Sequence, residues 1–325
     1  MQHRTATLVI LGALACLIAM RPLTAQAAAE GSFQQSLKVN GPVTLDIATG
    51  SGNINVRTGG SDTVEVTGHI RVSEWLGNGE EKVRRLEKNP PIQQSGNTIH
   101  IGHIQEWDLR RNVSISYEVT VPTQTDLKSH SGSGDQQVDG VKGPVEVDSG
   151  SGGLKLRSIG DTVRAETGSG IIEIDHVKGN VRARTGSGSI HATDIGGGFE
   201  ANSGSGHISL EQVAPGAVRV ETGSGGMELR GVRGSLEARA GSGGIRAEGD
   251  PSGGWMVHSG SGSIHLRLPS DAAFDLNAHT SSGSISLEHP VTVQGTLGRK
   301  EIRGKVRGGG VPVEVETGSG NIEIL

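Results

Sequence analysis

A Gly-Ser-Gly turn, preceded in most repeats by Thr or Ser and followed by an alternating apolar pair, recurs roughly every eighteen residues along most of this chain. The first glycines of successive turns are Gly132, Gly150, Gly168, Gly186, Gly204, Gly223, Gly241 and Gly260, at steps of 18, 18, 18, 18, 19, 18 and 19. A fixed step of this size with no helical pattern inside it specifies one solenoid coil per repeat. Residues 161–178, DTVRAETGSGIIEIDHVK, are the type coil. Val163 and Ala165 alternate with Arg164 and Glu166, the period of a strand with one buried face. Gly168-Ser169-Gly170 turns the chain, glycine being expected there because it takes positive φ without a Cβ penalty. Ile172 and Ile174 flank Glu173 in a second strand, and Val177 fills the far corner.

The same second-strand pair recurs as Leu154/Leu156, Ile190/Ala192, Ile208/Leu210, Met227/Leu229, Ile245/Ala247, Ile264/Leu266 and Ile285/Leu287. The predicted fold is therefore all-β, a parallel β-solenoid (β-helix) of about 18 residues per coil. A meander of antiparallel hairpins is the competing arrangement. One end of each repeat always carries Gly-Ser-Gly while the other varies among Val-Lys-Gly, Ile-Gly-Gly and Val-Arg-Gly, and both two sides of nine and three sides of six fit the step. The handedness of winding stays open.

Composition narrows the class. With 33% hydrophobic and 2% aromatic residues, the chain is too poorly supplied for two large globular cores. Disorder is excluded by the registered placement of Val, Ile and Leu, and the 53 glycines sit at fixed offsets rather than scattered. A formal net charge of -5 gives no reason to expect nucleic acid. Residues 1–29 combine His3 and Arg4, an apolar run from Leu8 to Met20 and the small-residue site Ala25-Gln26-Ala27, the pattern of a secretory signal peptide. Cys16 is the sole cysteine and lies in that run, so no disulfide is expected in the mature chain. A lipoprotein reading of Cys16 fits poorly, because Ala13-Leu14-Ala15 precedes it and the apolar run continues past it. Residues 30–127 read as a less regular β-rich part with a short amphipathic helix at 74–88, carrying Trp75, Leu76, Val83 and Leu86, expected to cap the first coil. Residues 128–325 read as the Gly-Ser-Gly solenoid proper.

The segments VSISYEVTVPTQTDLKSHSGSG at 113–134 and GKVRGGGVPVEVETGSGNIEI at 304–324, with the run of coils between them, are similar to the bacterial putative-adhesin family, a β-strand-repeat domain of unknown function. The resemblance covers nearly all of the mature chain. It implies an exported β-helical protein of the cell envelope, in some members associated with envelope-stress signalling, and it brings no catalytic residues.

Chemistry is sparse. The residue after each turn is Asp135, Gly153, Ile171, Ser189, His207, Gly226, Gly244 and Ser263, and a single aspartate there excludes a repeated calcium ladder. The outward column Glu146, Arg164, Arg182, Glu200, Arg219, Glu237 mostly alternates in sign, as expected of a solvated face that compensates itself. A second column, Lys155, Glu173, His191, Ser209, Glu228, Arg246, His265, lacks the paired acids of a glycoside hydrolase. Glu173, His191 and His207 are the best candidates for a weak metal or acid-base site. Arg299, Lys300, Arg303, Lys305 and Arg307 form a basic cluster suited to an anionic lipid or glycan. No cofactor is implied.

These readings converge on an exported structural or binding module of the periplasm or cell surface, contacting envelope glycan or protein, with peripheral membrane contact and without catalysis. A carbohydrate-active enzyme on the same scaffold and a periplasmic sensor are the alternatives. Because the chain stops on the strand-like residues 321–325, its last coil is expected to be covered by a partner or a second copy, giving end-to-end self-association.

Overall fold

The computed structural model describes residues 28–73, 78–293 and 298–325. The signal-peptide expectation lies, but for its last two residues, outside the described residues, as do Trp75 and Leu76 of the expected helix. Among the described residues no helix is long and apolar enough to cross a membrane.

The type coil folds as the strands Val163–Thr167 and Ile172–Val177, with inward Val163, Ala165, Ile172 and Ile174 buried and Arg164 and Glu173 exposed. Each strand pairs in parallel with its equivalent one coil away: Val163 lies beside Val145 and Val181, and Ile172 beside Leu154 and Ile190. Strands of one coil thus belong to two different sheets, of 14 and 15 strands among the described residues. The coil is two-sided, and neighbouring Gly-Ser-Gly corners stack directly, Gly186 N donating to Gly168 O at 3.0 Å. Parallel stacking of this kind excludes the hairpin meander. Between the sheets, Val145, Val163, Val181, Phe199, Val218, Leu236 and Trp255 form one column facing Leu154, Ile172, Ile190, Ile208, Met227, Ile245 and Ile264. Burying each such side chain contributes about 1.5–3 kcal/mol.

The corner glycines are needed for a reason the sequence expectation missed. None of those in the repeated turns after Gly52 has positive φ. A Cβ on Gly170 would instead lie 1.9 Å from the carbonyl oxygen of Gly152 in the coil below, and on Gly188 1.8 Å from that of Gly170. Close approach of stacked backbones, not backbone conformation, selects glycine. The preceding hydroxyl residue completes the corner. Thr167 Oγ1 accepts from Gly170 N at 3.2 Å and donates to Gly152 O at 2.9 Å. Ser131, Ser149, Thr185, Ser203 and Thr222 bridge in the same way, so buried hydroxyls run up the corner as a ladder. Positive φ appears at the opposite corner, at Gly140, Ser158, His176 and Asp194, one residue per coil.

The winding is not monotonic at either end. The leading coil, Val43–Thr49 and Ile54–Thr58, lies between the coil starting at Thr125 and an outer coil formed by the later strands Thr98–Ile101 and Val113–Val121. At the other end the closing coil, Val311–Ser319 and Ile322–Ile324, inserts between Trp255–Ser259/Ile264–Arg267 and the earlier Phe274–Ser282/Ile285–Leu287. The last coil, expected to need a partner or a second copy to cover it, is covered by the chain itself. Ile322 and Ile324 are buried by the chain's own strands on both sides, because the C-terminal segment returns one layer inward.

Antiparallel strands close the ends. Thr63–Val72 and Ala29–Lys38 extend one sheet beyond the outer coil and Ile92–Ser95 extends the other. The helix Gly79–Lys88 packs on the first two strands through buried Val83 and Leu86, and Ser32 N donates to its Glu87 Oε1 at 3.0 Å. Glu301–Val306 and Val291–Val293 cover the far end of the second sheet.

The hydroxyl ladder has one gap, at Ala240, which sits in register between Thr222 and Ser259. Ala240→Ser is expected to bridge Gly243 N and Gly225 O and to stabilise the fold by about 1 kcal/mol, read as a higher thermal midpoint. Gly170→Ala should do the opposite, costing several kcal/mol because two backbones must separate; equal midpoints for parent and G170A would disprove the close-approach account.

Candidate functional site

Two outer faces are available, and their charge is organised by register. On the sheet containing Val163–Thr167, the outward column runs Lys128, Glu146, Arg164, Arg182, Glu200, Arg219, Glu237. A second outward column beside it supplies Asp148, Glu166 and Arg184. Ions pair within and across the columns: Lys128–Glu146 at 3.6 Å, Arg164–Glu146 at 3.5 Å, Arg164–Glu166 at 2.8 Å, Arg184–Glu200 at 3.3 Å and Arg182–Glu200 at 2.6 Å. The two arginines hold the Glu200 carboxyl below the usual range, chiefly by hydrogen bonding from Arg182. Each exposed pair is worth only about 0.2–1 kcal/mol. The face is self-neutralised rather than concentrated in one sign.

Asp148 departs from that balance. Partial burial, then repulsion from Glu166 and Glu146, raises its carboxyl above the ordinary value.

On the opposite sheet, successive coils present Asn55, Gln137, Lys155, Glu173 and His191. The first four line an open depression of about 420 Å³ together with Asn53, Asp135 and the exposed Ile171. Glu173 and His191 are register neighbours, as their spacing implied, but their contacts point apart: Glu173 Oε2 pairs with Lys155 Nζ at 3.0 Å, and His191 Nδ1 meets Ser209 Oγ at 2.9 Å. His207 sits at the corner, its backbone N–H donating to Ser189 Oγ at 3.3 Å. In the basic cluster Lys300 Nζ donates to Ser281 O at 2.9 Å, Arg307 Nε to Ser270 O at 2.9 Å, and Arg303 pairs with Glu301 at 2.8 Å. Arg299 and Lys305 are exposed, with Lys305 opposite Asp275 in the antiparallel ladder. Three of the five cations are thus committed to the cap that carries them.

Two polar clusters escaped the sequence reading. At the positive-φ corner His176 bridges Asp175 at 2.8 Å and Asp194 at 3.0 Å, while Thr193 Oγ1 donates to Asp175 Oδ1 at 2.7 Å. The Thr193 hydroxyl is the main cause of a lowered Asp175 carboxyl, with His176 adding to it. At the N-terminal end Asp46 Oδ2 lies 3.3 Å from His100 Nδ1 and 3.4 Å from His103 Nε2. The signal for the second cluster is the His-x-x-His spacing of residues 100–103, but Asp46 joins it only through the parallel pairing of two strands far apart in the chain.

A family model described as Toastrack DUF4097 matches residues 43–325. No curated protein matches the chain. Solved structures that resemble it include a putative lipid binding protein from Parabacteroides distasonis (15% identity, 90% of this chain and 96% of that one, TM-score 0.43), a putative adhesin from Bacteroides fragilis (14%, 91% and 97%, 0.31) and a putative cell adhesion protein from Clostridium sporogenes (11%, 91% and 99%, 0.21).

A carboxyl that binds protons more tightly when folded favours folding in its protonated form, and that advantage disappears as pH rises through its raised range. Asp148→Asn, neutral throughout, is therefore expected to melt higher than the parent at neutral pH. The gain should stay under about 1 kcal/mol because water screens the group, and it should vanish near about pH 3, where the parent is also protonated. Thermal melts at the two pH values check both halves.

Proposed function

We propose, for a chain that belongs to the Toastrack DUF4097 family, a non-catalytic structural and binding role in the bacterial cell envelope, with glycan as the contacted polymer. The protein is exported, and its rod-like faces do the binding. The observation that carries this reading is the row Asn55, Gln137, Lys155, Glu173, which crosses four successive coils along an open depression. Rungs about 4.8 Å apart repeat polar groups along the solenoid axis, a geometry that suits an extended polymer better than a compact substrate. Among the described residues the amides of Asn55 and Gln137 make no side-chain hydrogen bond with the protein. Each amide offers donors and an acceptor, the complement of a hydroxyl-rich chain, and Ile171 adds apolar contact beside them. The opposite face, by contrast, spends its charges on one another.

The absence of catalysis in this proposal rests on the same geometry. Both carboxylates that line the depression are engaged, Glu173 by Lys155 Nζ at 3.0 Å and Asp135 Oδ1 by Gly153 N at 2.8 Å, whereas cleavage by the usual glycosidase route needs two carboxyls facing the scissile bond.

Retention of the mature protein on purified envelope glycan tests the reading. The double variant Asn55→Ala, Gln137→Ala is expected to bind at least about tenfold more weakly, the loss of about 1.4 kcal/mol that two hydrogen bonds supply, with an unchanged circular dichroism spectrum. Equal retention of parent and variant, or capture of an envelope protein in place of glycan, overturns the proposal. New reducing ends in glycan incubated with the parent, lost in Glu173→Gln, would instead make the protein an enzyme.

A further inference from the structure

We infer that Asp46, His100 and His103 form a binding site for a divalent transition-metal ion of the zinc class. Each of the three residues offers one ligand atom, a carboxylate oxygen or an imidazole nitrogen, and these atoms all lie within 4.8 Å of one another. Zinc bonds to imidazole nitrogen and carboxylate oxygen are about 2.0–2.1 Å long, so neighbouring ligands of a tetrahedral centre stand about 3.3–3.4 Å apart. The Asp46–His100 and Asp46–His103 separations are 3.3 and 3.4 Å. The two imidazoles meet edge to face, with ring planes at 85°, so both approach the same carboxylate oxygen without stacking on each other.

Ligand chemistry selects the class of ion. Two imidazoles and one carboxylate suit zinc and its transition-metal neighbours, whereas calcium and magnesium demand shells made of oxygen. Competition from nearby cations is low where it matters most. Lys128 is the register neighbour of Asp46 on the inner side, yet its Nζ turns to Glu146 at 3.6 Å.

The backbone builds the site deliberately. His100 lies on the outer-coil strand and Asp46 on the leading-coil strand, directly opposite each other. The strand then turns at Gly102, where φ is +82° and a Cβ would stand 1.8 Å from Ala48 O. Only glycine permits that approach, and the turn returns His103 over Asp46. The side chains remain partly exposed, at 35%, 44% and 45%, so an ion has a path in. His103 also borders a depression of about 620 Å³ with Gln105, Arg110 and His130, which leaves space for the water or external ligand that completes a three-ligand centre. A bound ion would tie the outer coil to the leading coil, two segments joined here by side chains more than fifty residues apart in the chain.

The test uses the full mature protein, stripped with chelator and titrated with zinc chloride against a chromophoric competitor. One ion per chain and a rise in thermal midpoint on zinc addition are expected. His103→Gln, on an exposed turn, should keep the metal-free midpoint and circular dichroism of the parent while weakening zinc binding at least about tenfold, since loss of a direct ligand costs no less than loss of a group that only supports one. Asp46→Asn should weaken it similarly, and His279→Gln, remote from the site, should not. X-ray absorption of the zinc-loaded parent should show two imidazole ligands. Absence of saturable one-to-one binding, or binding undiminished in both His103→Gln and Asp46→Asn, overturns the inference. Glycan retention takes no part in this readout, so the two proposals stand or fall separately.

Discussion

Backbone stacking at the Gly-Ser-Gly corner is the constraint on which the rest depends. Each coil sets its corner carbonyl where the next coil's Cβ would be, as the Gly152–Gly170–Gly188 series shows. Any side chain there would push two coils apart and break the parallel ladder on both faces at once. Hydrophobic burial supplies more energy, since every coil inserts aliphatic side chains between the sheets. That energy is non-directional, however, and would tolerate a slipped register. The corner, with its hydroxyl bridging one coil to the next, admits a single register, and a one-residue slip would place every buried side chain on the wrong face.

The fixed register in turn determines what the surfaces can be. Residues eighteen apart become neighbours, so a run such as Glu146, Arg164, Arg182, Glu200 is read by solvent as one column of partners. One face uses this to cancel its charge. The other strings amides and mixed polar groups along the axis, and that difference between two otherwise equivalent sheets is the basis for assigning the contact surface. Family membership supports a domain of this architecture, and the exported envelope role is a reading of the faces.

The ends obey a different rule. A solenoid that simply stopped would expose strand edges and core. Here the leading and closing coils each return one layer inward, so that later or earlier strands of the same chain lie outside them, and antiparallel strands follow. The N-terminal insertion has a chemical consequence, because it alone sets Asp46 beside His100. Local repeats build the rod, whereas long-range pairing builds the candidate metal centre.

Much of the architecture was legible in the residues. The eighteen-residue step, the alternation of Val163, Ala165, Ile172 and Ile174, and the alternating outward charges announced parallel coils, and the coils are there. Glu173 and His191 were rightly placed as neighbours, but rotamers turned them to Lys155 and Ser209, which spacing cannot foresee. The reason for the corner glycines was misread, since steric contact with another coil leaves no mark distinct from a turn. The last coil was expected to need a partner or a second copy over it because its sequence ends on a strand, and only the fold reveals that strand as an interior one. Periodicity is a local property, repeated until it dictates the coil. Insertion of coils out of sequence order is a choice among equally well-formed parallel pairings, decided by which side chains cover which end, and it took the folded molecule to make Asp46, His100 and His103 a single place.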